Sequence, residues 1–118
     1  MQDFQNLQVW RKAHELTLLI YRLTTDFPKD EIFGLRTQMR KTAVDVASYI
    51  AEGSVKPTDS EFATSIGAAL GHNKRLEYFV LVAKDLKLVD DEVFTQLNDS
   101  IVEVGRMLST FYQTLKRG

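Results

Sequence analysis

Phe94, Leu97, Ile101, Val104, Leu108, Phe111 and Leu115 stand at alternating intervals of three and four residues. Seven apolar side chains at that spacing share one stripe of an α-helix. A strand, which returns to the same side every second residue, would scatter them over both faces. This seam constrains the chain more than any other feature, because a long helix with one greasy stripe needs partner helices to cover it. Asp90, Asp91 and Glu92 precede the seam, where carboxylates favour the positive end of the helix dipole, and Lys116 and Arg117 close it. The pattern predicts a helix over about 91–116.

Three further segments carry the same spacing. Thr58-Asp59-Ser60-Glu61 reads as a capping box, and Phe62, Ile66, Ala69, Asn73, Leu76, Val80 and Ala83 follow it in steps of four and three, predicting a helix over about 59–87. Val9, Ala13, Leu16, Ile20, Leu23 and Phe27 predict one over about 8–27, fraying before Pro28. Ile32, Leu35, Met39, Ala43, Val46 and Ile50 predict one over about 31–52, with Gly53 as its C-terminal cap. No segment alternates with period two. The expected fold is all-α: an up-down-up-down, left-handed four-helix bundle forming a single domain over 1–118.

Composition excludes several function classes. The 118 residues include no cysteine, so disulfides, thiolate catalysis, zinc fingers and iron–sulfur clusters are ruled out. The net charge is −1, with residues 1–57 summing to +1 and 58–118 to −2, unlike a strongly basic nucleic-acid binder. The polar start of the chain is not that of a secretory signal, and no apolar run approaches the roughly 20 residues that span a bilayer. A cytoplasmic protein with no membrane contact is expected. None of the seven glutamates has a histidine three residues on, as bundle di-iron sites require. His14 and His72 fall on different helices, and His14 reads as a surface residue. There is no Gly-x-Ser-x-Gly, no Walker loop and no Gly-x-Gly-x-x-Gly. No catalytic residue, metal, cofactor or small-molecule substrate is expected.

Apolar surface exceeds what one bundle needs. Leu16, Leu18, Leu19, Ile20, Tyr21 and Leu23 cover most of the circumference of the first helix. Tyr78 to Ala83 is an unbroken apolar run on the third, and six helical residues span about 600° of arc. A helix apolar all round is covered on every side, so a homo-oligomer is expected, with Leu18, Tyr21, Tyr78 and Leu81 as interface candidates. Gly67 and Gly71, four apart inside the third helix, predict close approach of a neighbouring helix, since each costs about 1 kcal/mol there. The basic residues that could meet phosphates are Arg36, Arg40, Lys41, Lys74 and Arg75, the alternative being that Arg40 pairs with a carboxylate inside the bundle.

The ordered set Phe4-x-x-Leu7-x-Val9-Trp10, Ala13, Leu16, Ile20-Tyr21, Phe27-Pro28-x-x-Glu31-x-Phe33-Gly34-Leu35-x-x-Gln38-Met39-Arg40 and Ile50-Ala51-Glu52-Gly53 resembles the four-helix-bundle family of 23S rRNA intervening-sequence proteins. Glu61-Phe62, Gly71 and Leu76-Glu77 extend the likeness more weakly. The resemblance implies small cytoplasmic bacterial bundles that assemble as rings, typically homopentamers, with reading frames lying within insertions in ribosomal RNA genes. The family is also similar to accessory proteins of diversity-generating retroelements, basic pentameric barrels that bind reverse transcriptase and nucleic acid. It implies no enzymatic activity. Arg40 and Glu52, both within matching motifs, are expected to serve packing or assembly through ion pairs. The chain departs from the family pattern at Ala47 (usually proline), Tyr49 (usually asparagine), Lys41, His72 and Arg75.

Overall fold

The computed structural model describes residues 3–31 and 34–118. Four helices follow one another: α1, Gln8–Leu23; α2, Leu35–Gly53; α3, Asp59–Asp85; and α4, Asp91–Arg117. Short 3-10 turns at Phe4–Asn6 and Lys29–Glu31 precede α1 and α2. Each helix packs on the next, and α4 returns to α1, so the four stand at the corners of an up-down-up-down bundle 45 × 22 × 20 Å in extent. The helices α1 and α3 do not pack on each other and occupy opposite corners.

The apolar seams are the core. All seven positions of the α3 seam are buried, and so are Leu97, Ile101, Val104, Leu108 and Leu115 of α4, with Phe94 and Phe111 half-buried at the edge. From α1 come Val9, Ala13, Leu16 and Ile20, and from α2 Met39, Ala43, Val46 and Ile50. Ile32, expected to open the α2 seam, and Phe33 lie outside the described residues. The one polar member of the seams, Asn73, donates from Nδ2 to the Ile101 carbonyl of α4 at 3.0 Å, while its Oδ1 is buried without a partner among the described residues.

Helix ends differ from the sequence expectations in four places, each for a local reason. First, α1 stops at Leu23, not 27. The Thr24 hydroxyl turns back to the Ile20 carbonyl at 2.8 Å, and Phe27 reaches the core from a turn closed by its N–H on the Thr24 carbonyl. Second, α2 begins at Leu35 and not 31, since Lys29–Glu31 winds as a separate 3-10 turn. Third, α3 ends at Asp85 and not 87. Lys87 adopts a left-handed φ of 60°, and the N–H groups of Lys87 and Leu88 bond back to the carbonyls of Lys84 and Ala83, a Schellman closure made without glycine.

The fourth correction concerns Gly53. It is the last residue of α2, it lacks a positive φ, and Ser54 follows as the cap. Its role is close packing. A Cβ there would lie 2.7 Å from both Phe62 Cδ1 and Ser65 Cβ on α3. The starts of α3 and α4, by contrast, follow the sequence: the Thr58 hydroxyl accepts from the Glu61 N–H, and Asp90 accepts from the Val93 N–H at 2.8 Å.

Candidate self-association surfaces

Burying the seams leaves seven large apolar side chains exposed among the described residues: Leu18, Tyr21, Val44, Val55, Tyr78, Leu81 and Leu86. All four residues expected at an interface are in this set, and Tyr78, 63% exposed, stands furthest out. Their positions follow from helix geometry. Leu18 is two residues from both Leu16 and Ile20, about 200° round the helix, and therefore points away from the core they enter. Tyr78 and Leu81 likewise flank the buried Val80.

On α1, Trp10, His14, Leu18 and Tyr21 form a continuous stripe beside α2. Trp10 stacks on His14 with ring centroids 4.8 Å apart and takes the Phe4 ring edge-on at the same distance. A groove of about 340 Å³ runs alongside, between Trp10 and His14 of α1 and Val44, Ala47, Ser48 and Ala51 of α2. His14 is thus exposed and stacked, as a surface residue.

Tyr21 is held by Arg40. The guanidinium carbon lies 4.6 Å from the centre of the Tyr21 ring, Nη2 donates to the Tyr21 carbonyl at 3.0 Å, and Nε donates to Thr24 Oγ1 at 3.0 Å. Arg36, one turn earlier, reaches the Thr25 carbonyl at 3.5 Å. Both arginines therefore donate to carbonyls at or just beyond the C-terminus of α1, where a cation also meets the negative end of the dipole; the Tyr21 carbonyl accepts from the Thr25 hydroxyl as well, at 2.9 Å. Within the chain these bonds stand in place of the expected ion pairs: among the described residues neither Arg40 nor Glu52 forms one. Arg40→Ala is expected to lower stability by about 1–2 kcal/mol through the loss of these half-exposed, charge-assisted bonds. The midpoint of urea unfolding measures it.

The remaining basic candidates do not converge. Lys41 lies 3.6 Å from Asp45 on α2, and Lys74 lies 2.9 Å from Glu77 on α3. Arg75 extends over the Phe79 ring at 5.5 Å and has no acidic partner among the described residues. Asp45 also faces His72 across the α2–α3 seam at 3.8 Å. The imidazole is fixed because Nδ1 donates to the Ala68 carbonyl at 2.9 Å, and Tyr49 packs against the ring. Sequence reasoning missed this polar tie, since nothing in a spacing pattern joins residues 45 and 72.

The glycine pair of α3 also differs from expectation. A Cβ on Gly67 would make only ordinary contact with Tyr112, and one on Gly71 would meet nothing within 4 Å. Among the described residues no other helix approaches closely at either. Gly71 instead floors an outward-facing hollow of about 440 Å³, walled by Lys74, Arg75, Tyr78 and Phe79. Two further grooves lie beside α4. One, of about 420 Å³, is lined by Leu7, Val9, Met107 and Phe111 against α1, and the other, of about 400 Å³, has Asn73 and Gly105 in its lining against α3. No group of three or more His, Asp or Glu able to hold a metal occurs among the described residues, and none of their helices is long and apolar enough to cross a membrane.

Fold and surface together define a helical bundle without catalytic motifs, whose distinguishing feature is exposed apolar surface. The chain belongs to the 23S rRNA-intervening sequence protein family, whose model matches residues 5–110. No curated protein matches it. Among solved structures it is similar to a Bacteroides thetaiotaomicron protein of unknown function from the S23 ribosomal protein family. That likeness has a TM-score of 0.78 and 17% identity and covers 86% of this chain and 95% of the other, which bears on the fold alone.

Proposed function

We propose that the protein is a non-enzymatic self-assembling module, whose copies join through the α1 stripe and the outer face of α3 into a ring, pentameric by family resemblance. The supporting observation is the exposure of Leu18, Tyr21, Tyr78 and Leu81 at opposite corners of a bundle whose own core is already filled. Tyr78→Glu or Leu81→Glu leaves the core untouched, so helicity should be retained. At an interface either change would bury an unpaired carboxylate, at a cost of several kcal/mol. Light scattering should report an oligomer for the wild type and a helical monomer for each variant. If both variants remain oligomeric, the contact does not involve the α3 face.

A second reading, a nucleic-acid-binding accessory acting alone or beside a reverse transcriptase, draws on the exposed Arg75, which has no acidic partner among the described residues, with the exposed Lys74 next to it. Repetition around a ring would multiply this small patch. Binding through it would weaken steeply with salt. Absence of any RNA or DNA shift at low salt would remove this reading. It would be favoured over the packing role if Arg40→Ala abolished RNA binding while leaving assembly intact.

A further inference from the structure

Gly71 is an exposed glycine in the middle of a 27-residue helix, where it costs about 1 kcal/mol relative to alanine, and no neighbour among the described residues makes use of the space it leaves. The hollow above it has apolar walls in Tyr78 and Phe79 and a cationic rim in Arg75. Lys74 is already occupied by Glu77, whereas among the described residues Arg75 has only the Phe79 ring. A fitting occupant therefore offers a projecting apolar side chain with a spare carboxylate beside it.

The chain itself carries that combination. Leu18 projects from α1, 48% exposed, and Glu15 stands three residues before it on the adjoining part of the helix surface. Among the described residues Glu15 is held only by Lys12 at 3.8 Å, and Lys12 lies nearer Glu103, at 3.4 Å. Because α1 and α3 occupy opposite corners, Leu18 cannot reach the hollow of its own chain. Resting on the self-assembly reading above, we propose that Leu18 of one copy seats in the Gly71 hollow of the next, with Glu15 meeting Arg75 at its rim.

Gly71→Phe and Leu18→Glu test this in the full chain. Neither position contributes to the core, and Gly71→Ala controls for any effect of merely adding a Cβ. Each of the first two variants should retain its helical circular dichroism, sediment as a monomer, and weaken self-association by at least about 30-fold, the loss expected for a central interface residue. Mixing them is the decisive arm. Gly71→Phe keeps an intact Leu18 and Leu18→Glu keeps an intact hollow, so the mixture should form a one-to-one dimer and nothing larger. A wild-type oligomer with Gly71→Phe still fully assembled would overturn the hollow as the contact. Two monomeric variants that stay monomeric on mixing would overturn Leu18 as its occupant. A wild-type monomer at micromolar concentration would overturn the self-assembly reading itself, and this pairing with it.

Discussion

Val80→Glu is expected to abolish the folded state. Val80 is fully buried in the α3 seam, and no cation is among the buried residues that form the core around it. An unpaired carboxylate placed there would cost several kcal/mol even after relaxation, a large share of the roughly 5–15 kcal/mol that holds a domain of this kind together. Protonating the carboxyl would relieve the charge and leave an unsatisfied hydroxyl in an apolar site. Loss of the helical circular dichroism signal and of a cooperative thermal transition measures the effect. The contrast with Leu81→Glu, one residue on and half-exposed, makes the experiment specific. The same chemical change should unfold the chain at 80 and leave it folded at 81. A cooperative melt for Val80→Glu close to that of the wild type would mean that the α3 seam is not the core.

Gly53→Ala is expected to destabilise by about 3 kcal/mol, the upper part of the range for overpacking. The added methyl would sit 2.7 Å from Phe62 and Ser65, and Phe62 is itself buried and packed edge-on against Phe111 at 5.1 Å, so it cannot simply swing aside. Relief requires α2 and α3 to separate where the loop joining them is short. Gly71→Ala is the matched comparison, with the opposite sign expected. It adds the same methyl to an exposed helical position with open space above it and should stabilise the monomer by about 0.5–1 kcal/mol. Urea midpoints of the two variants against the wild type decide the matter. Equal effects would show that helix propensity, and not the approach of α3, governs both glycines.

The helices were legible because burial obeys a period. Apolar residues three and four apart must face one way in a helix, and the seams of α3 and α4 could be read almost residue by residue, including Asn73, which keeps its seam position by bonding across to Ile101. The four exposed candidates were legible by the converse reasoning: a helix apolar on every side has more surface than its own core can cover. What was not legible depends on atoms that distant segments bring together. Gly53 suits a helix end on sequence grounds, yet its requirement comes from Phe62. Arg40 and Glu52 look like ion-pair partners, but the Tyr21 carbonyl and the Thr24 hydroxyl lie 3.0 Å from Arg40, nearer than any carboxylate of the described residues. Lys87 stands where glycine is the usual choice, so the end of α3 carried no mark. Val55 and Leu86 carry no such mark, since each stands singly between polar neighbours, Ser54 and Lys56 for one and Asp85 and Lys87 for the other.

The opposite-corner placement of the α1 stripe and the α3 face has a consequence for symmetry. A two-fold dimer joins like surfaces, and would therefore cover one of these faces twice and leave the other bare on both copies. Covering both requires every copy to present one face forward and the other behind, so each addition repeats the same rotation. Growth then stops only where those rotations complete a full turn. A contact tilted by a few degrees would convert a finite assembly into an open filament, so the orientation of α1 against α3 would govern solubility as much as shape. In such an assembly, substitutions that only re-pack the bundle core could change the number of subunits without altering a single contact residue.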